Sequence, residues 1–548
     1  MRRFFTFISA AFVSASLFAG GLVTNTNQSA SWVRLPVRDA STSIDAVYFN
    51  PAGLMKLDNG FHFSLSNQTI FQNKEVENFY TGPGGGFGLN ESLYKGKVSA
   101  PVFPSVYAAY KMDKLAFSLG FNPIGGGGGA VFDKGLPSFE LTPSDLVPAL
   151  ASQGATAYKL DAYFEGTSIY FGFQGGISYK LNDAISIAAG ARYVNAKNTY
   201  MGHLRDIELN MPAGWTRADL IMTGIADQYA AGAVAATNVA TQTSALVAGG
   251  AGSLTLAQAE AATIITADQR QLLEGALTSF GLETTGTISD ADEGLKDKAT
   301  EFTNNSNNYT ATASLLGDQE ADVEQTGYGI TPFFSVNISP TDRINIGIKY
   351  EMATKMTLTN KTAKDFKVGY TPTGTPVTMF PDGEEIRNDM PAMLSVGVDL
   401  GLTEKLNVAA GFHYFFDKTA NYGHKLNGVY VENDKIIDEN YYEAAAGLQY
   451  KLNDFLLLSA GYLYSKPGIN DDYQSDLTYS LTSHTGGIGG AINILENLQL
   501  NVGFAYTYYL DGEKTVSHLF TPTTTTYTAK ETYFKDTMII SAGIDFSF

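Results

Sequence analysis

Residues Tyr450–Tyr464 read YKLNDFLLLSAGYLY. A short polar turn around Asn453 and Asp454 leads into an alternating run that carries Gly461 and ends on tyrosine. Short turn residues between alternating runs mark a tight antiparallel hairpin. The same layout recurs as YKMDKLAFSLGF from Tyr110, YKLNDAISIAAGARY from Tyr179 and ISPTDRINIGIKY from Ile338. It returns as LGLTEKLNVAAGFHY from Leu400 and ILENLQLNVGFAYTY from Ile494. A strand also precedes each turn, as in Ser168–Tyr179 and Ala392–Leu400. Internal similarity of this kind organises the whole chain.

The two faces of these strands differ. In Leu498–Tyr508 one face is Leu498, Leu500, Val502, Phe504, Tyr506 and Tyr508, and the other is Gln499, Asn501, Gly503, Ala505 and Thr507. Side chains alternate across a strand, so one face is apolar with an aromatic end and the other is small or polar. A soluble barrel turns its apolar face inward, and a membrane barrel turns it to lipid and lines its interior with polar groups. The aromatic ends, strands of nine to twelve residues, and short turns alternating with long loops all predict the membrane barrel. The last segment, with Met538, Ile540, Ala542, Ile544, Phe546 and Phe548 on one face, resembles the terminal signal read by bacterial barrel-assembly machinery.

Composition agrees. The chain has 548 residues with 56 glycines, 12% aromatic and only 17% charged residues. No apolar run approaches the roughly 18 or more residues of a transmembrane helix. The absence of cysteine excludes disulfides, thiol catalysis and Cys-ligated metals. A net charge of −19 argues against nucleic acid as a partner.

Six turns pair twelve strands, and one strand before them and one after make about fourteen. The expected fold is therefore all-β, a transmembrane antiparallel barrel of residues 60–548. Residues 1–21 have the pattern of an export signal, with Arg2 and Arg3 before an apolar run. Residues 22–59 lack strand alternation but carry Trp32, Tyr48, Phe49 and Leu54, too apolar for a disordered tail. They are expected to plug the barrel. Residues 203–328 form a large external insert, Ala-rich and helical in period, with capping boxes at Thr255/Gln258 and Thr266/Gln269. Leu273, Ala276, Leu277 and Phe280 make an apolar stripe there, which either presents a greasy groove or packs on neighbouring helices.

Within the plug, DAVYFNPAGL (Asp45–Leu54) resembles the hatch motif of the FadL family, outer-membrane transporters of long-chain fatty acids and other hydrophobic compounds. The resemblance implies a fourteen-stranded barrel in the bacterial outer membrane, closed by an N-terminal hatch that moves on ligand binding. It assigns the hatch turn to Asn50, Pro51, Ala52 and Gly53. It also implies a kink in the third strand that opens the wall toward lipid, and Asn122, Pro123, Gly125 and Gly126 stand at the matching place. Proline cannot donate to the ladder and glycine bends strands. The alternative is a flexible loop above that strand.

On lumen-facing registers stand Arg192 and Lys349, with His413 of similar type. Each cation is a candidate partner for a ligand carboxylate. Alternatively, Lys349 pairs with Glu351 and Arg192 braces the hatch. No nucleophile constellation supports an enzyme, and no metal or cofactor is expected. Asp290–Gly294 faintly resembles a Ca²⁺ loop but lacks the remaining ligand spacing. The expected partners are a fatty-acid-like hydrophobic ligand, outer-membrane lipid and the assembly machinery. The expected function is passive uptake with lateral exit, and the alternatives are a general porin or a surface adhesin.

Overall fold

A computed structural model of the protein describes residues 22–371, 374–426, 429–520, 523 and 525–548. Residues 1–21, expected to carry an export signal, lie outside the described residues. Fourteen strands form the wall: β1 Gly60–Tyr80, β2 Leu93–Met112, β3 Leu115–Phe132, β4 Tyr158–Lys180, β5 Ile185–Met211, β6 Gln319–Thr341 and β7 Ile344–Glu351. They continue as β8 Met393–Gly401, β9 Leu406–Phe415, β10 Tyr442–Lys451, β11 Leu456–Lys466, β12 Ser483–Leu495, β13 Leu498–Tyr509 and β14 Thr525–Ser547. All neighbours pair antiparallel, and β1 closes on β14 from His62 opposite Ser547 to Tyr80 opposite Ala529.

The repeated turn residues have a common task. Asn182 Oδ1 accepts from the amides of Ala184 and Ile185, both at 2.9 Å. Asn453 Oδ1 accepts from Phe455 at 3.0 Å and Leu456 at 2.8 Å, and Thr403 Oγ1 accepts from Leu406 at 2.9 Å. These side chains stand in for a backbone carbonyl and close the turn. At the β2–β3 turn Asp113 takes φ 42°, a left-handed conformation that Asp tolerates better than most side chains.

The apolar faces point outward. On β13, Val502, Phe504, Tyr506 and Tyr508 are 38–52% exposed, whereas Asn501, Ala505 and Thr507 are buried. A row of Val, Phe and Tyr on the outside of a closed sheet is a lipid-facing band. No helix among the described residues is long and apolar enough to cross a membrane.

The strands are longer on one side than the sequence pattern predicts. β4, β6 and β14 have 23 residues and β5 has 27, against the roughly 9–11 that cross a bilayer. At roughly 3.3 Å per residue this half of the wall stands well above the membrane. β7 to β11 have only 8 to 11 residues. The insert expected to leave the wall at His203 does so only after Met211, and β6 already begins at Gln319. Above the membrane the outward face is no longer apolar, so the pattern that identifies the spanning part fades while the ladder continues.

Three helices matter for the barrel end: α1 Ala30–Arg34 and α2 Ala46–Phe49 inside it, and α3 Pro137–Ala149 across its outer mouth. α3 sets Phe139, Leu141, Leu146 and Val147 into an apolar cluster with Tyr80, Phe164, Leu209 and Phe380. The insert holds α4 Ala218–Leu246, α5 Leu256–Ala261, α6 Ala267–Ser279 and α7 Ile288–Leu316. α4 and α7 pack along each other. Leu273 and Leu277 are buried against Leu256, Ile288 and Leu295, so the apolar stripe is the core of a small helical bundle. Both expected capping boxes form, and a third joins Thr287 to Asp290. Asp290–Gly294 is thus the first turns of α7, and Asp292 accepts from Thr243, Ser244 and Lys296. Thr287→Ala is expected to destabilise the insert by about 1 kcal/mol, read as an earlier helical melting phase in circular dichroism with the barrel transition unmoved.

Candidate functional site: the hatch and the break in the wall

Residues 22–59 fill the lumen, and nearly every side chain from Leu22 to Met55 is buried. The segment first holds itself together. Ser29 caps α1 by accepting from Trp32 N at 3.0 Å. Asp45 accepts from Arg38 Nε at 2.9 Å and Nη2 at 2.8 Å, and from the hydroxyls of Ser41 at 2.6 Å and Ser29 at 3.1 Å. A bidentate Arg–carboxylate pair has a fixed geometry, so a chain with little regular structure acquires a definite shape.

The hatch turn is then pinned to the wall residue by residue. Asn50 Nδ2 donates to Asn337 Oδ1 at 2.7 Å and to Ser41 O at 3.2 Å. Pro51 O accepts from Ser178 Oγ at 2.7 Å, and Ala52 O accepts from Ser186 Oγ at 2.7 Å. Ala52 N donates to Ser335 Oγ at 2.9 Å. A Cβ at Gly53 would lie 2.3 Å from Ser41 O. Proline suits this place because it opens a 3-10 turn where its missing N–H is not needed.

The mid-strand glycines of the hairpins now have a reason. A Cβ at Gly347 would lie 2.2 Å from Asp39 O, one at Gly397 2.4 Å from Asp39 Cβ and one at Gly411 2.0 Å from Asp39 Oδ2. At Gly461 it would lie 2.8 Å from Pro36 Cδ, and at Gly503 2.8 Å from Arg34 N. At these positions the wall is bare of side chains where the hatch, backbone or side chain, lies against it.

The lumen-facing cations gather around the hatch. Arg192 grips Glu351 with Nη1 at 2.8 Å and Nη2 at 2.7 Å, and also donates to Gln174 Oε1. Lys349 Nζ lies 2.7 Å from Glu351 Oε1 and donates to Tyr48 O at 2.5 Å. Both stand over the Tyr48 ring, at 4.8 Å and 4.4 Å from its centroid. Their partners among the described residues belong to the wall and the hatch. His413 lies between two carboxylates, with Nδ1 2.7 Å from Glu443 Oε2 and Nε2 against Asp39. Asp39, Glu443 and Gln174 carry no motif; lumen-facing parity on their strands is the signal for Gln174 and Glu443, and Asp39, in the hatch, has none.

Pro123 lies in the wall, within β3. β2 pairs with β3 from Met112–Leu115 up to Val106–Phe121 and resumes only at Lys97–Val131. Between these points the two strands share no ladder. β3 keeps its register with β4 only through slips on either side of Gly125, and Gly126 takes φ 93°. Proline stands on both sides of the break, as Pro101 and Pro104 in β2 and Pro123 in β3. The two in β2 are a signal of the break in the sequence itself, since proline is confined to strand positions that need no ladder donor. The gap is filled by the front of the hatch. Thr24 bridges Gly125, Asn25 N donates to Ile124 O at 2.8 Å and Gly126 N donates to Val23 O at 3.0 Å. Gln28 Nε2 donates to Pro123 O at 2.9 Å, and Asn122 Nδ2 donates to Gln28 Oε1 at 2.5 Å.

Fold and site together define a class: a fourteen-stranded membrane barrel, plugged by its own N-terminal segment, with a break in the wall beside the plug. Among solved structures the chain resembles a FadL homologue of Pseudomonas aeruginosa, with 13% identity over 98% of this chain and 100% of that one and a TM-score of 0.56. The toluene transporter TodX of Pseudomonas putida is also similar, at 14% identity over 93% and 98% of the two chains and a TM-score of 0.45. The monoaromatic hydrocarbon channel CymD follows, at 13% identity over 96% and 99% and a TM-score of 0.45. No known sequence family matches the chain, and no curated protein does. The protein has the FadL fold.

Proposed function

We propose that this protein is a FadL-type transporter of the bacterial outer membrane, taking up long-chain fatty acids or similar hydrophobic molecules passively and releasing them sideways into lipid. The observation that carries the reading is the break between β2 and β3, filled by Val23–Gln28. A hydrophobic ligand gains about 0.8 kcal/mol per buried CH₂ by leaving into the bilayer, whereas a downward exit would return it to water. Apolar side chains line the approach, since Ile124, Tyr170 and Met390 are buried beside Val23. Only residues 23–28 need to move for the gap to clear, while the rest of the hatch keeps its ion pairs. A general porin has no use for such a plug.

The test is uptake of fatty acids and aromatic hydrocarbons into liposomes or cells. A variant in which Pro123, Gly125 and Gly126 are replaced by valine and threonine, to restore a regular strand, is expected to insert normally and lose uptake. Uptake of no apolar compound by the wild type, together with steady ion conductance, would sink the transporter reading.

A further inference from the structure

α3 lies across the outer mouth without belonging to the wall. Phe139 reaches Phe164 of β4, with ring centroids 6.2 Å apart, and Phe366 of the β7–β8 connection at 5.9 Å. Hydrogen bonds to several other segments hold the helix down. Ser138 N donates to Asp476 Oδ2 at 2.9 Å, and the Tyr158 hydroxyl donates to Glu140 Oε2 at 2.6 Å. Asp145 Oδ2 lies 2.8 Å from Nε2 of His518, on the strand Gly512–Phe520, and accepts from the Tyr80 hydroxyl at 3.2 Å. The helix adds little rigidity of its own. Pro143 and Pro148 stand inside it and cannot donate the helical bonds to Phe139 and Ser144. The chain enters it through exposed Asp133 and Lys134 and leaves it through exposed Ala151–Gln153. Each connector carries a glycine in the left-handed region, Gly135 at φ 69° and Gly154 at φ 91°.

A helix tied at the rim by side chains and joined through short connectors is the arrangement of a lid, since a few loop residues can absorb the change in backbone angles when it moves. Its apolar side says what it would admit. Phe139, Leu141, Leu146 and Val147 are buried in the cluster at the mouth. Lifting them into water is unfavourable. An apolar molecule entering beneath covers the same surface and offsets that loss, whereas a polar solute does not. We propose that α3 is the outer gate of the barrel, swinging outward about Gly135 and Gly154 to admit an apolar molecule and closing behind it. This rests on the uptake reading above and places a gate at the mouth, apart from residues 23–28 at the wall break.

The chain has no cysteine, so introduced thiols report on α3 alone. The full chain is used in cells, and normal heat-modifiable mobility in gels shows that each variant is folded. Val147→Cys places a thiol at a buried position of α3, to be labelled by a membrane-impermeant maleimide. Adding Asp145→Ala, which removes a charge-assisted hydrogen bond, is expected to raise the labelling rate about tenfold. A second variant, Asp145→Cys with His518→Cys, is joined by a bis-methanethiosulfonate reagent. Its uptake of laurate and toluene is expected to match or exceed wild type before joining, to fall to the level of cells without the protein afterwards, and to return with reductant. The two single-cysteine variants, treated alike, keep their uptake. Equal labelling rates with and without Asp145→Ala overturn the proposal, as does uptake unchanged by joining. Loss of uptake before joining, in folded protein, overturns it too, because the ties would then serve transport rather than hold the gate shut. Wild type that takes up neither probe refutes the uptake reading and the gate with it, whereas normal wild-type uptake beside any of the other contrary results refutes the gate alone.

Discussion

Leucine in place of both Gly397 and Gly411 is expected to turn a closed barrel into a conducting one. The Cβ positions of these two residues already coincide with Asp39, and a further three carbons would enter the space of Val37–Ala40. The wall cannot retreat, because β8 and β9 are laddered to each other and to both neighbours. The hatch is the movable partner, and its loop must leave that sector together with the Asp39 contacts to Ser395 and His413. Planar-bilayer recordings should show steady ion conductance well above the wild-type background. Gly486→Leu is the control: it lies on β12 with open space around its Cβ position, and its conductance should match wild type. Silent bilayers from the folded double variant would show that the hatch accommodates the added side chains.

Glu351→Ala should be among the most destabilising single substitutions in the molecule. The carboxylate is buried and holds two cations at 2.7 Å, Arg192 and Lys349. Its removal leaves two adjacent positive charges without a counter-charge, and breaking a buried pair in this way costs about 3–5 kcal/mol. Reversible urea unfolding in lipid vesicles is the measurement. Replacing all three residues by apolar ones of similar volume should recover most of the loss, because the uncompensated charge is then gone. A Glu351→Ala midpoint equal to wild type would mean that this cluster does not brace the hatch.

Much of this molecule is legible locally. Asn182, Asn453 and Thr403 announce tight turns because a side-chain oxygen two residues from an amide can close one, and that chemistry lies within a few residues. Alternation in β13 announces an amphipathic strand for the same reason. The hatch motif was legible as a turn, since Pro51 and Gly53 constrain their own backbone. The helical bundle of the insert was legible through its capping boxes. Its apolar stripe was not assigned, because whether leucines face a groove or a partner helix depends on residues far along the chain.

The sequence by itself thus determined the six hairpins, the fourteen strands, the plugging segment and the helical insert, all properties of short-range periodicity and turn chemistry. Tertiary structure alone decided what the lumen-facing groups meet. Tyr48 and Lys349 are 301 positions apart and Asp39 and His413 are 374. The glycines of the hairpins looked like a habit of the repeat, and only the folded barrel shows that five of them make room for the hatch backbone or its side chains. In the same way Pro123 is placed in the wall by its pairing with Phe171 of β4 while β2 leaves its other side open, because a break in a sheet is a relation between two strands and not a property of either one.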